Sequence, residues 1–328
     1  MLKLDLTQAI KELKKHKAKK VFLQIPEGLK TKVEGIVEEL EGKGFEVICE
    51  MNPCFGACDL KQSEAKKFGC DAILHLGHTK FLEKTSISTI YAPLKYELGE
   101  RFERIVKIIM ERLKDEEVKE IGLATTAQFL SYLPEIKTAL EGAGIKTIIG
   151  KGKRTENGQV LGCNYSSANI KTDTILFFGD GLFHPLGIHF ATKKKVIIAN
   201  PIMLEIKTLE EEKEEFLKRR ILMIERTKNA KSYAILVSTK EGQNRITEAE
   251  QIKKELEKKG KTAKIYTMDY ISNEALLGIS AEAFVNTACP RISIDDYSNY
   301  KQPIINGYEV DYLLGKKDYE KYEIKEVY

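Results

Sequence analysis

An apolar-faced helix, a glycine and a strand follow one another in VEELEGKGFEVI, residues 37–48. The same order returns as IKTALEGAGIKTII in residues 136–149 and as IKKELEKKGKTAKI in residues 252–265. Apolar residues three or four positions apart indicate one face of a helix, and glycine at its end favours a left-handed cap. The chain is therefore interpreted as three copies of one supersecondary unit.

Further apolar stretches typical of strands flank each copy. The strand before the helix is predicted at residues 20–25, 120–124 and 232–237 in the three units. The strand that follows the copy is predicted at residues 71–76, 173–178 and 283–286, and the closing strand at residues 89–93, 196–201 and 303–307. Strands that alternate with helices predict parallel sheets, and near-continuous apolar strands predict sheets covered on both faces. We predict an α/β fold of three similar parallel-sheet units arranged around a pseudo-threefold axis.

The repeat also sets the expected domain boundaries. The units should span residues 1–95, 96–205 and 206–328, with a C-terminal tail in the third. Helices in residues 96–114 and 209–226 should bridge neighbouring units, and the charges of the second are expected to form a solvated face. Three similar domains in a row, whose cysteines never meet, are the alternative left open by the repeat alone.

Bulk composition places the chain among globular proteins. It has 328 residues, of which 42% are hydrophobic and 31% charged. No apolar run approaches the roughly 20 residues of a membrane span, and the first residues lack the apolar stretch of a signal peptide. We therefore expect a cytoplasmic protein without a membrane contact. The net charge of +4 is too small to indicate direct nucleic-acid binding.

Three cysteines far apart in the chain, Cys58, Cys163 and Cys289, fall in different units after predicted strands. Thiols in a reducing compartment more often serve metals or catalysis than disulfides. Three thiolates around a 4Fe–4S cluster would leave one iron open for chemistry, whereas four cysteine ligands usually make an electron carrier. Cys289 departs from the repeat, since it follows the third strand of its unit and the others follow the second. Taken singly, each could be an idle buried thiol.

The other cysteines are weaker candidates. Cys54 and Cys58 resemble the start of the CxxxCxxC motif of radical S-adenosylmethionine enzymes, but Lys61 stands where the third cysteine belongs. Cys54 could replace Cys58 as a ligand or be a buried apolar thiol, and the second interpretation is favoured. Cys49 and Cys70 lie in or beside apolar segments and are expected in the core.

Functional residue types follow several strands, and ligands of parallel sheets bind beyond the carboxyl ends of the strands. The candidates for substrate binding are Pro26, Glu27, Gly28, His78, Asp180, Gln243, Arg245 and Arg291. Each signal is weak alone, because a glycine such as Gly28 can simply permit a tight turn and His184 can simply be packed. Their common position at strand ends favours one shared pocket.

Taken together, these motifs resemble the archaeal diphthamide-synthesis enzymes, the 2-(3-amino-3-carboxypropyl)histidine synthases. The resemblance covers nearly the whole chain. Its carriers are IPEGL (25–29), GACD (56–59), GH (77–78), GDG (179–181), HPLG (184–187), GQ with Arg245 (242–245) and ACPR with Asp295 and Asp296 (288–296). Phe55 stands where the family more often has tyrosine, which keeps the aromatic ring.

The resemblance implies a homodimer whose 4Fe–4S cluster is bound by Cys58, Cys163 and Cys289. S-adenosylmethionine would approach the open iron, and one electron from an external donor would cleave its bond from sulfur to the γ-carbon. The 3-amino-3-carboxypropyl group would pass to a histidine of translation elongation factor 2, leaving methylthioadenosine. Arg245 and Arg291 could hold the co-substrate's carboxylate, since arginine can bind carboxylates bidentately.

Gln243, Asp180 and His78 are expected to hold polar parts of the co-substrate. Two alternatives compete with the transferase. A quinolinate-synthase-like dehydratase also places three α/β units around one cluster, whose open iron acts as a Lewis acid. A non-catalytic partner would only carry electrons or dock the elongation factor, because fold alone does not fix function.

Overall fold

The computed structural model of the chain describes residues 1–327 and confirms the α/β class, with three sheets of parallel strands. The first sheet consists of β2 (Lys20–Gln24), β3 (Glu46–Glu50), β4 (Ala72–Gly77) and β5 (Ser88–Pro93). Its order is β3-β2-β4-β5 and every pair is parallel. Two short antiparallel strands, β1 (Leu2–Lys3) and β6 (Lys95–Tyr96), join the start of the chain to the end of this unit.

The second and third sheets repeat this order. The second contains β7 (Glu120–Thr125), β8 (Lys146–Ile149), β9 (Thr174–Phe178) and β10 (Lys195–Asn200), and its extra edge strand β11 (Glu205–Thr208) is antiparallel. The third contains β12 (Ser232–Ser238), β13 (Thr262–Met268), β14 (Ala283–Asn286) and β15 (Ile304–Asn306). The orders are β11-β10-β9-β7-β8 and β13-β12-β14-β15. In each sheet the first strand of the unit is flanked by the second and third.

Helices connect the strands on both sides of the sheets. They are α1 (Thr7–Lys15), α2 (Val33–Glu41), α3 (Gln62–Lys67), α4 (Glu100–Asp115), α5 (Leu133–Gly142), α6 (Phe183–Thr192), α7 (Glu210–Lys228), α8 (Ile246–Lys258), α9 (Asn273–Leu276), α10 (Arg291–Ile294) and α11 (Val310–Leu313). Among residues 1–327, no helix is long and apolar enough to cross a membrane.

The repeated glycine ends the helix in all three units in the same way. Gly44, Gly144 and Gly260 have φ of +91°, +81° and +73°, which side chains with a Cβ rarely adopt. In each case the next residue's N–H donates to the carbonyl of the last buried leucine of the helix, for example Ile145 to Leu140 at 3.0 Å. The predicted left-handed caps are therefore confirmed.

The two bridging helices differ in detail from the expectation. The first begins at Glu100 rather than near residue 96, because Tyr96 pairs in β6 and Gly99 turns the chain with φ +54°. On α7 the charges are not all solvated. Arg220 is buried and forms two hydrogen bonds with Glu309, at 2.9 and 2.6 Å. This buried pair ties the bridging helix to the third unit.

Apolar cores hold the units together. One core belongs to the first unit, and another covers the face of the second sheet that packs on α4 and α5. The largest core is shared, because α7 places Phe216, Met223 and Ile224 between strands of the second and third sheets. Burial of apolar surface is worth about 25 cal/mol per Å². This shared core fixes the second unit against the third and positions the loops at their strand ends.

Candidate functional site

Three cysteines, one from each unit, lie in half-buried loops. Cys58 follows β3, Cys163 follows β8, and Cys289 lies between β14 and α10. Burial raises the pKa of the Cys163 thiol, and charge on Cys58 and Cys289 raises it further. Burial, followed by the charge of Cys58, raises the pKa of Cys289 to about 11. The three thiols are therefore within electrostatic reach of one another.

The loop after β12 is fastened directly to the Cys58 loop. The N–H of Gly242 donates to the Cys58 carbonyl at 2.9 Å, and Nε2 of Gln243 donates to the Cys58 Sγ at 3.2 Å. A Cβ on Gly242 would lie 2.6 Å from the Cα of Cys58. Only glycine permits this approach of two backbones, so residues from the first and third units form one surface.

Arg245 has a different environment from the one expected of a substrate ligand. Its Nη1 donates to the carbonyls of Thr287 and Ala288, at 2.7 and 2.9 Å, and its Nη2 donates to the carbonyl of Val327. Burial lowers the pKa of Arg245, whereas charge on all three cysteines of the group opposes that shift. The guanidinium therefore holds the Cys289 loop and the tail, and it supplies positive charge to the cysteine group.

The Cys289 loop carries a second arginine. Asn286 donates from Nδ2 to the Cys289 carbonyl at 2.8 Å and keeps the turn closed. Arg291 lies at the start of α10, with Nε 2.6 Å from Asp295 Oδ2 and its guanidinium 4.9 Å from the centre of the Phe183 ring. Its side chain is 59% exposed. Arg291 can therefore turn toward a ligand, which the fully engaged Arg245 cannot do without releasing a carbonyl.

A buried ion network that sequence reasoning missed joins the Cys58 loop to the third unit. Asp59 pairs with Lys240, and Lys61 lies 3.4 Å from Asp59 and 2.7 Å from Asp269. Asp59 and Lys240 are both buried. Gln24 at the end of β2 donates to the Asp59 carbonyl at 2.9 Å. The sequence signal that could have found this network is the charged residues beside each motif: Asp59 and Lys61 follow Cys58, and Lys240 precedes Gly242.

The Cys163 loop is held by packing and by the tail. A Cβ on Gly162 would run into the ring of Phe183, and Tyr165 is buried with its hydroxyl donating to the Gly162 carbonyl at 3.0 Å. The N–H of Val327 donates to the Cys163 carbonyl at 2.9 Å. This loop therefore depends on contacts with aromatic rings and with backbone.

Residues of the first unit predicted to bind substrate line a cavity of about 540 Å³. Pro26, Gly28, Gly77 and His78 border it, together with Gln128 of the second unit. Burial lowers the pKa of His78 to about 4, so this imidazole is neutral near pH 7. The structure thus brings three of the predicted residues to one cavity.

Two predicted residues lie elsewhere. Glu27 pairs with Lys30 at 2.5 Å on a short turn after β2. Asp180 is exposed at the end of β9, before Gly181 with φ +73°. His184 packs between the Phe177 and Phe183 rings, with centroid distances of 6.1 and 5.4 Å. The interpretation of His184 as a packed ring agrees with these contacts.

A second cavity, of about 690 Å³, adjoins the cysteine group. Gly242, Asn244, Arg245, Glu248 and Val327 are among the residues that line it. Because Gly242 and Arg245 also contact the cysteine loops, this cavity lies beside those loops, although none of the three cysteines is among its lining residues. Its polar lining suits a charged co-substrate.

The fold and the cysteine group define a class: an α/β protein of three parallel-sheet units, each with one cysteine within electrostatic reach of the other two. Residues 25–324 match the family described as "Putative diphthamide synthesis protein". The chain belongs to this diphthamide synthesis family.

Individual relatives agree over nearly the whole length. The 2-(3-amino-3-carboxypropyl)histidine synthase of Pyrococcus horikoshii is 38% identical, over 98% of this chain and 92% of the relative. The synthase of Methanocaldococcus jannaschii is 32% identical, over 97% and 90%. The crystal structure of Dph2 from Pyrococcus horikoshii with a 4Fe-4S cluster superposes with a TM-score of 0.92 and 36% identity, covering 100% of this chain and 95% of that one.

Proposed function

We propose that this chain transfers the 3-amino-3-carboxypropyl group of S-adenosylmethionine to a histidine of translation elongation factor 2, the first step of diphthamide synthesis. The observation that carries the proposal is that Cys58, Cys163 and Cys289, from three separate units, lie within electrostatic reach of one another. The names of the relatives at 38% and 32% identity support the reaction, and the cluster in the similar crystal structure supports the cofactor.

The residues present fit a 4Fe–4S cluster. Iron–sulfur clusters take thiolate ligands and are tuned by hydrogen bonds to sulfur, and Gln243 already donates to the Cys58 Sγ. Among residues 1–327, the three cysteines are not among the groups of Cys, His, Asp and Glu whose ligand atoms all lie within 4.8 Å of one another, the spacing that suits one metal ion. The three cysteines therefore suit a centre larger than one ion. When bound, such a cluster would supply one electron and an open iron position.

The chain's own residues have three tasks in this proposal. Arg245 offsets the negative charge that gathers when three thiols ionise, and Gln243 orients one sulfur. The cavity beside Gly242 and Arg245 would admit S-adenosylmethionine and fix which of its bonds lies nearest the centre. Arg291, whose side chain is 59% exposed and paired with Asp295, would bind the co-substrate's carboxylate through its remaining guanidinium N–H groups.

The covalent balance is simple. The bond from sulfur to the methionine γ-carbon breaks and methylthioadenosine leaves. A bond forms between that carbon and an imidazole carbon of the acceptor histidine, which loses its hydrogen as a proton while the electron is returned. An external donor is needed to supply that electron first. We further propose that the protein acts as a cytoplasmic homodimer, with no direct role for nucleic acid.

The test is anaerobic purification of the chain and of Cys58→Ala, Cys163→Ala and Cys289→Ala, with Cys70→Ala as the matched control. Iron and sulfide should fall strongly in the first three variants and stay unchanged in the control. A cluster that stays intact after loss of any one of the three would contradict the three-ligand site.

The reaction itself needs a separate assay. Reduction of the loaded chain with S-adenosylmethionine should release methylthioadenosine, and added elongation factor 2 should gain the mass of the aminocarboxypropyl group. Cluster loading without methylthioadenosine would instead favour a dehydratase of the quinolinate-synthase kind. Loading with activity only after a second protein is added would favour the non-catalytic partner.

A further inference from the structure

A second group of metal-ligating side chains lies inside the first unit. Cys54 precedes Cys58 in the loop after β3, His75 lies in β4, and His78 follows that strand. One ligand atom from each of the three lies within 4.8 Å of the other two. Nε2 of His75 and Nδ1 of His78 are 3.1 Å apart. All three residues come from one unit, unlike the cysteine group shared by three units.

This group is buried and incompletely hydrogen-bonded. His75 is completely buried and Cys54 is 2% exposed. Nδ1 of His75 and the hydroxyl of Tyr91 are buried without any hydrogen-bond partner, and the two rings are 5.7 Å apart. An orphaned buried atom of this kind keeps the full cost of its desolvation. Buried polar atoms of this kind commonly indicate a bound ion or water.

We propose that Cys54, His75 and His78 bind a single Zn²⁺ ion, separate from the cysteine group of the three units. One thiolate and two imidazoles are ligands that zinc prefers, and three protein ligands leave its fourth position to water. At zinc–nitrogen distances of about 2.0–2.1 Å, two tetrahedral nitrogen ligands lie about 3.3 Å apart. The observed 3.1 Å between the histidine nitrogens is close to that spacing.

Access and water are both available to the site. His78 borders the cavity of about 540 Å³ at the strand ends of the first unit, so ions and water can reach its ring. Binding removes the thiol proton of Cys54 to solvent and needs no oxidant or reductant. The ion would take Nε2 of His75 and Nδ1 of His78 in place of the hydrogen bond between them. The unpartnered Nδ1 of His75 then carries the ring proton and is not itself a ligand.

The test begins with the cluster-loaded, full-length chain. Metal analysis after dialysis should find about one zinc per chain in addition to iron. Cys54→Ala should lose the zinc and keep the iron, whereas the matched control Cys49→Ala should keep both. If Cys54→Ala loses iron instead, Cys54 belongs to the cluster and the proposal is overturned.

A second measurement removes the cluster from consideration. In the full chain with Cys58→Ser, Cys163→Ser and Cys289→Ser, added Co²⁺ should give a thiolate-to-cobalt absorption band at one equivalent, displaced by Zn²⁺. His78→Ala should weaken binding at least about 100-fold, because even outer-shell partners are worth 10–100-fold. Circular dichroism verifies that each variant is folded. A folded chain without the band, or a band unaffected by His78→Ala, overturns the proposal. Iron and sulfide in the unsubstituted chain test the cluster independently.

Discussion

The Cys58 loop and the Cys163 loop are held in place by different forces. Around Cys58, the third unit supplies Gly242 against the backbone and Lys240 against Asp59. Around Cys163, the contacts are aromatic rings, the backbone of the tail, and the Glu326 carboxylate, which accepts from the Tyr165 N–H at 2.9 Å. A buried ion pair leaves an uncompensated charge when one partner is lost, a cost that packing against aromatic rings does not carry. We therefore expect substitutions of the Cys58 loop contacts to have larger effects than substitutions of the Cys163 loop contacts.

The largest expected effect separates two glycines. In Gly242→Ala the new Cβ would meet the Cα and Cβ of Cys58 at 2.6 Å, and backbone cannot move aside. We expect loss of most bound iron and of methylthioadenosine release. Gly162→Ala instead meets the Phe183 ring, a half-buried side chain that can shift further than backbone, so more of the iron should remain than in Gly242→Ala.

Gly278→Ala, in open space in the third unit, is the control and should match the unsubstituted chain. Iron analysis and far-ultraviolet circular dichroism read out the site and the fold separately. Equal iron loss in Gly242→Ala and Gly162→Ala would remove the proposed contrast between the two loops.

The next effect concerns the buried ion pair. Lys240→Met leaves Asp59 buried with only Lys61 nearby, at 3.4 Å. Breaking a buried pair costs about 3–5 kcal/mol, and we expect the lower end because Lys61 remains. Urea unfolding of Lys240→Met and of the unsubstituted chain measures the difference in the free energy of unfolding.

The matched control is Lys213→Met, which breaks the surface pair with Glu210 and should cost at most about 1 kcal/mol. A Lys240→Met chain as stable as this control would show that the network adds nothing to the Cys58 side.

A smaller effect distinguishes the two arginines. Arg291→Ala should weaken S-adenosylmethionine binding about tenfold, equivalent to about 1.4 kcal/mol, because an exposed guanidinium is lost. Its iron content and cluster absorption should stay unchanged. Arg245→Ala should instead lower iron content, since its carbonyl contacts shape the Cys289 loop. Isothermal titration gives the affinity, and an unchanged value for Arg291→Ala would reject its binding role.

The periodic pattern of apolar residues and glycines was enough to predict the fold from the sequence. Gly44 and its two counterparts mark helix ends by a local conformational need, which leaves a trace in any single sequence. The strand β11 was not predicted, although it pairs locally with β10 across a short connection that sets Asn200 opposite Glu205. The burial of Arg220 is of tertiary origin, since its partner Glu309 lies 89 residues away, and its charge was therefore assigned to a solvated face.

The site was readable in part. One cysteine per unit indicated a shared centre, and the three lie within electrostatic reach of one another, while their role as cluster ligands stays a prediction. Arg245 was expected to face a substrate, and its contacts with three carbonyls are fixed by loops that local patterns do not describe. Cys54 is buried as expected, but its histidine neighbours come from β4 and from the loop that follows it, and no spacing rule links them to Cys54.

The smallest expected effect is the loss of stability at low pH through His184, which packs on the Phe183 ring beside the Cys163 loop. Burial, helped by Arg291, lowers the pKa of His184 from 6.5 to about 4. The unfolded chain therefore binds a proton more readily, so this stabilisation is complete above about pH 6.5 and is lost as pH falls towards 4. The pKa difference between the folded and unfolded chain predicts that the free energy of unfolding falls by about 2 kcal/mol between pH 7 and pH 5. Because the His184 ring is partly exposed, we expect a fall of about 1 kcal/mol.

His184→Phe keeps the ring against Phe177 and removes the titration. Urea unfolding at pH 7 and pH 5 should show an acid loss about 1 kcal/mol smaller in this variant than in the unsubstituted chain. The exposed His16→Phe is the control and should leave the acid loss unchanged. If His184→Phe behaves like that control, the packing around Cys163 does not respond to acid. The stability of the Cys163 loop would then depend on its other contacts and not on the protonation of His184.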